Sequence, residues 1–223
     1  MNNYDKAFNM IVQNNGLSVV MTIADSSIIR PSLQFDSNSP RYILDNVHIH
    51  WGKSNLFGSE HSVDNEFAAA EIHFAHYNQR YGSFSQALTQ PDGLVVIAVL
   101  MSISSTPNPN LNWLIAAVQL ITEYNSAATI ASHSDFYLAD LLPNDRSSVF
   151  RYLGSLTTPP CYESVTWLVF EKPIPINTAQ LEQFRLLRQK SINGIPGHPL
   201  LGNRRYIQPI NGRTVQTSDP SYH

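Results

Sequence analysis

The sequence predicts a mainly β protein with peripheral helices (α+β), built on a large and mostly antiparallel central sheet. Two observations carry this. Runs rich in β-branched and aromatic residues, bounded by turn formers, outnumber the segments with helical spacing. Fourteen Pro and ten Gly are spread along 223 residues, as many short elements joined by turns require.

Strands are predicted over Leu17–Ile23, Tyr42–Trp51, Ala69–Tyr77, Leu94–Ser102 and Val165–Phe170. In the second, strict alternation puts Ile43, Val47, Ile49 and Trp51 on an apolar face that Asp45 interrupts. Tyr42, Leu44, Asn46, His48 and His50 take the other face. In the third, Glu71, His73 and Ala75 oppose Ile72, Phe74 and His76. Between the strands, Leu111–Tyr124 reads as a helix, with Trp113, Ala117, Leu120 and Ile121 near helical spacing and Asn110 as its N-cap. Ala179–Gln189 reads as a second, shorter helix. No repeat or linker divides the chain, so one domain over 1–223 is expected.

Charged residues make up only 14% of the chain, against about 25% in typical soluble domains, and the net charge is -3. The Lys and Arg residues form no cluster, so no nucleic-acid partner is expected. No apolar run approaches the roughly 18 residues of a membrane span. The single cysteine, Cys161, has no partner for an internal disulfide. Met1–Lys6 is polar and opens no export signal.

The chemistry concentrates in His48-Ile49-His50 and in Glu71-Ile72-His73. In a strand, His48 and His50 share one face, as do Glu71 and His73. Three neutral imidazoles with one open position are a catalytic rather than a structural zinc set. Glu71 could hold the second N–H of His73, and Asn46 that of His48. The spacing leaves other readings open: structural or surface histidines, a solvated Glu71, an edge Asn46.

Further segments make the chain resemble an α-class carbonic anhydrase. They are His48-Ile49-His50-Trp51-Gly52, Gly58-Ser59-Glu60-His61, Ala70-Glu71-Ile72-His73 and Ser155-Leu156-Thr157-Thr158-Pro159-Pro160. Asp92-Gly93-Leu94, Val165-Thr166-Trp167 and Gln208-Pro209-Ile210-Asn211 follow the same order. The likeness runs from about Asn14 to Val215. The three-histidine set is itself best known from carbonic anhydrase, so it is no independent deduction.

The resemblance implies that fold, and a Zn2+ on His48, His50 and His73. It implies reversible hydration of carbon dioxide to bicarbonate and a proton by hydroxide generated at the zinc. Thr157 would accept the hydrogen bond of that hydroxide and pass its own proton toward Glu60. Asn46, where the family commonly has Gln, would support His48. Glu71 would support His73, and the Asn203 carbonyl His50. Arg204-Arg205-Tyr206 departs from the family's aromatic-Arg-Pro, which leaves that backbone less certain. Ala75, Val96, Leu156, Thr158, Val165 and Trp167 would line the substrate pocket, though core packing explains the apolar ones equally. Thr157 also reads as a turn residue and Glu60 as a surface carboxylate. His61 and His76 match structural histidines.

Two departures matter. Leu17 stands where fast members carry a proton-shuttle histidine, so proton release is expected to limit turnover. The family's N-terminal segment is expected to be missing from residues 1–223. Cys161 matches a cysteine that pairs with that segment in exported members, which points to a secreted relative. A buried free thiol in a cytoplasmic protein is the other reading. The function alternatives are a catalytically silent binding domain of this family and an ester-cleaving zinc hydrolase. The resemblance carries no oligomeric state.

Overall fold

The computed structural model describes residues 1–25, 29–131, 136–191, 193, 195 and 197–219. Its strands are β1 (Met10–Asn14), β2 (Val19–Ile23), β3 (Ser32–Leu33), β4 (Tyr42–Trp51), β5 (Ser62–Val63) and β6 (Glu66–Phe67). They continue with β7 (Ala70–Asn78), β8 (Leu94–Ser104), β9 (Ala127–Ile130), β10 (Val149–Gly154), β11 (Val165–Asn177) and β12 (Gln216–Thr217). The α-helices are α1 (Phe84–Ala87), α2 (Asn112–Leu120) and α3 (Thr178–Arg185).

Ten strands form one sheet in the order β12-β10-β11-β8-β7-β4-β2-β1-β9, with β3 against β4. Among the described residues only β11 with β8 is parallel; the other pairs are antiparallel. The expected mainly β architecture is therefore the observed one. β8 explains its centre: Leu94 to Met101 are all buried, so this strand is covered on both faces. On one face Val95, Ile97 and Val99 join the main core with Leu114 and Val118 of α2 and Leu181 and Phe184 of α3. On the other, Val96 and Ala98 pack with Ala75, Val165 and Trp167. α2 and α3 thus close one face, while α1 packs at the edge of the other through Ala87.

The structure differs from the sequence reading at several element ends. β2 starts at Val19, because Asn15 Oδ1 accepts from the N–H groups of Leu17 and Ser18 and holds them in the turn from β1. α2 ends at Leu120, since the next carbonyls leave the helix: Thr122 O accepts from Arg188 N and Asn14 Nδ2. Asn110 is not its cap; Asn108 caps the preceding 3-10 turn by accepting from Asn110 N. α3 ends at Arg185 rather than Gln189, with a capping box between Asn177 and Gln180 at its start. β11 runs seven residues beyond Phe170, past Pro173 and Pro175. Its register on β8 shifts between Phe170 and Ile174, and β10 pairs only as far as Phe170, so the prolines sit on an open edge.

A further difference concerns β4. Leu44 faces His76 and Asn46 faces Ala75, leaving Asp45 as an extra residue, a β-bulge. The bulge resets the alternation. Tyr42 and Leu44 therefore join Val47, Ile49 and Trp51 in the main core, while Ile43 leaves that face.

Candidate metal centre

β4 and β7 pair so that His48 stands opposite His73, His50 opposite Glu71 and Asn46 opposite Ala75. The three histidine rings converge, with centroids 5.2, 5.1 and 4.6 Å apart. Each ring has one nitrogen engaged from outside. His48 Nδ1 lies 2.8 Å from Asn46 Oδ1, His50 Nδ1 3.3 Å from the Asn203 carbonyl, and His73 Nε2 2.6 Å from Glu71 Oε1. That leaves His48 Nε2, His50 Nε2 and His73 Nδ1 facing one another. His50 Nε2 is buried without a hydrogen-bond partner, and His48 Nε2 is 3.3 Å from His73 Nδ1. Tetrahedral zinc with Zn–N of about 2.0–2.1 Å needs nitrogens about 3.3 Å apart, which the His48–His73 pair matches, and all three donors lie within 4.8 Å of one another.

Ligation needs neutral imidazoles, and burial supplies them. Burial, then the nearby His73 and His50, hold His48 well below its ordinary pKa. Burial and His73 push His50 down to about 4.

Glu71 is fully buried. Its Oε1 is 2.6 Å from both His73 Nε2 and His61 Nδ1, and its Oε2 accepts from the N–H groups of Glu60 and His61 at 2.8 Å. Burial pushes this carboxyl up, but the charges and hydrogen bonds of His61 and His73 outweigh it and hold Glu71 well below the carboxylate range. His61 responds in the opposite sense: burial lowers it, Glu71 outweighs burial, and the net shift is upward. Its Nε2 lies 2.6 Å from the Tyr152 hydroxyl, which burial keeps protonated. His61, Glu71 and His73 also lie close enough to share an ion. Yet every Glu71 oxygen there is already an acceptor at hydrogen-bond distance, whereas the first triad presents an orphaned nitrogen. The first triad is the better metal site.

Glu60 is buried beside the triad, its side chain 3% exposed, with Oε1 3.3 Å from His50 Nδ1 and 2.6 Å from Arg205 N, which donates to it. Its Oε2 is 4.0 Å from His73 Nδ1 and has no hydrogen-bond partner. Asn203 ties the site together: its Oδ1 accepts from Trp51 N, and its Nδ2 donates to the carbonyls of Ile49 and Leu17.

A family model for eukaryotic-type carbonic anhydrase matches residues 1–219. The chain is 35% identical over 211 residues to mouse carbonic anhydrase 15, covering 93% of this chain and 64% of that one. It is 37% identical over 216 residues to mouse carbonic anhydrase 7, covering 96% of this chain and 79% of that one. The chain belongs to the eukaryotic-type carbonic anhydrase family. It spans less than two thirds of the length of the first of these relatives.

Carbonic anhydrases are zinc-dependent, and membership supports carbon dioxide hydration in general. A small-molecule substrate fits the family, and among the described residues no helix is long and apolar enough to cross a membrane. Beside the triad, Ala75, Val96, Val165 and Trp167 form one buried cluster with Leu156 packed on it. Register builds it: Ala75 faces Val96, and Val96 faces Trp167. The Trp167 ring lies 4.8 Å from the rings of both His73 and His61. Thr158 is exposed and outside this cluster. Thr157 and Glu60 line the same cavity, about 360 Å³, without the hydrogen bond expected between them. Leu17 is 65% exposed in the turn after Gly16. The departure at Arg204-Arg205-Tyr206 leaves the site intact, because Arg205 reaches Glu60 through its backbone while the Arg204 guanidinium rests 5.2 Å from the Phe67 and Tyr206 rings.

Sequence reasoning passed over Tyr152 and Asp45. Tyr152 lies on β10, a strand the sequence did not reveal. Asp45 left a signal: a carboxylate breaking an apolar face.

Proposed function

We propose that this carbonic anhydrase hydrates carbon dioxide reversibly to bicarbonate and a proton, with zinc on His48, His50 and His73, and that proton release sets its turnover. The carrying observation is the convergence of His48 Nε2, His50 Nε2 and His73 Nδ1, each ring held by an acceptor on its far nitrogen. Zinc bound there supplies Lewis acidity that lowers the pKa of water to about 7, a value known from carbonic anhydrases themselves rather than deduced from this geometry.

The remaining work belongs to the chain. The Glu71 carboxylate, the Asn46 amide and the Asn203 carbonyl fix the tautomers and directions of the rings. The unpartnered Glu60 Oε2, as a carboxylate oxygen, would accept from a Thr157 hydroxyl turned toward it, which would aim the lone pairs of that hydroxyl at the reacting oxygen. Ala75, Val96, Leu156, Val165 and Trp167 offer carbon dioxide an apolar wall, and Thr158 stands beyond it. Leu17 carries no proton, so release falls to buffer.

The unpartnered Glu60 Oε2 favours a second reading, a silent zinc-holding domain of this family. Zinc content measured beside stopped-flow hydration decides between them, with His73→Ala as control. Stoichiometric zinc with hydration that rises with imidazole supports the enzyme. Stoichiometric zinc without hydration supports the silent domain, and absence of zinc overturns both.

A further inference from the structure

Neighbouring side chains of a regular strand point to opposite faces and do not meet. Asp45 and Asn46 do meet: Asn46 Nδ2 donates to Asp45 Oδ2 at 2.9 Å. The bulge makes this possible, since Asp45 is the extra residue between the pairs Leu44–His76 and Asn46–Ala75. The other end of the same amide, Asn46 Oδ1, lies 2.8 Å from His48 Nδ1. Asp45, Asn46 and His48 therefore form a continuous chain ending at His48 Nδ1, the ring nitrogen that faces away from the triad.

An amide can present either end to an imidazole. If its oxygen faces Nδ1, the ring carries its proton on Nδ1 and keeps a lone pair on Nε2. If its NH2 faces Nδ1, the proton moves to Nε2 and the lone pair that a metal needs is lost. A carboxylate only accepts, so Asp45 admits one orientation, NH2 toward itself and oxygen toward His48. We propose that Asp45 is a positioning residue that locks the Asn46 amide and, through it, the metal-ready tautomer of His48. This rests on the reading of His48 as a metal ligand. It makes the short Asn46 side chain, braced from its own strand, equivalent to a longer amide.

The test uses the whole chain with Asp45→Leu, Asp45→Asn, Asn46→Leu and the Asp45→Leu/Asn46→Leu double variant. In the metal-free protein at neutral pH, nitrogen NMR reads which His48 nitrogen is protonated, with His48→Phe assigning the signals. The parent should show the Nδ1–H form, Asp45→Leu a mixture, and Asp45→Asn, which keeps an accepting oxygen, a return toward the parent. The His76 signals, from a ring held by Tyr4 and the Val95 carbonyl, report an unchanged fold. Zinc release to a chelator should quicken about tenfold in Asp45→Leu. The same substitution should change it less than about twofold on top of Asn46→Leu. A pure Nδ1–H form in Asp45→Leu, or an equal effect in both backgrounds, overturns the proposal. A parent chain that takes up no zinc overturns the metal reading instead, and the tautomer measurement still decides for or against Asp45.

Discussion

Glu71 Oε1 lies 2.6 Å from His73 Nε2, and neither residue is more than 1% exposed. With two ring nitrogens on one oxygen and two backbone N–H groups on the other, this carboxylate accepts from every side. Glu71→Gln must turn an NH2 toward donors. The variant should bind zinc 10- to 100-fold more weakly, the usual cost of losing a partner of a ligating histidine. The metal-free fold should lose about 3 kcal/mol, the scale of a broken buried pair. Chelator competition and denaturant titration check the two effects, and parental zinc affinity would remove Glu71 from the site.

Acid should weaken the metal-free protein through its buried histidines. An unfolded histidine takes its proton near pH 6.5, whereas folded His50 does so at about 4. Between those values the unfolded state holds the extra proton, so stability falls as pH drops, by about 3 kcal/mol in total from this group. His76, pushed by burial down to about 3, acts in the same direction. Glu71, held low, adds its loss only below its unfolded value of about 4.3. His61, raised, works oppositely: its contribution is complete below about 6.5 and disappears as pH rises through its folded pKa. Denaturation midpoints from pH 7 to 4 should decline steeply in the parent and less steeply in His50→Leu.

Leu17→His should supply the proton carrier that the family resemblance expects at this position. Leu17 is 65% exposed, so the change should cost no more than about 0.5 kcal/mol. At low buffer, hydration should rise tenfold or more, toward the roughly 10²-fold that a positioned proton carrier contributes. At high imidazole parent and variant should converge. Equal rates at low buffer would show that proton release is not the slow step.

Thr157→Val should keep zinc and lose hydration by about 10²-fold, the scale of one preorganised hydrogen bond in a catalytic site. Glu60→Gln should behave alike, and the double variant should be little worse than either, as expected of residues acting as one unit. Additive losses would mean that Thr157 and Glu60 work separately.

The ligand histidines were legible because their spacing matches a period of two, and a strand turns that spacing directly into geometry. The core of β8 was legible for a related reason, an unbroken apolar run. The strands β1, β3, β5, β6, β9, β10 and β12 were not. β10 has no buried residue to mark a face, and β12 is two residues long, so both depend on partners distant in the chain. The support of His50, a backbone carbonyl 153 residues away, leaves no pattern near the histidine and was named only through the family resemblance. Even the phase of β4 was misread at its first half, where one inserted residue outweighs propensity.

That inserted residue makes β4 tolerant of one change in length. Losing Asp45 would restore strict alternation along Tyr42–Trp51. Alternation alone would then put Tyr42, Leu44, Val47, Ile49 and Trp51 on the core face and Asn46, His48 and His50 on the other. A single-codon deletion would therefore keep packing and ligation in phase and remove only the carboxylate that braces Asn46. A descendant without Asp45 would keep the fold and the histidine face and hold its zinc less firmly.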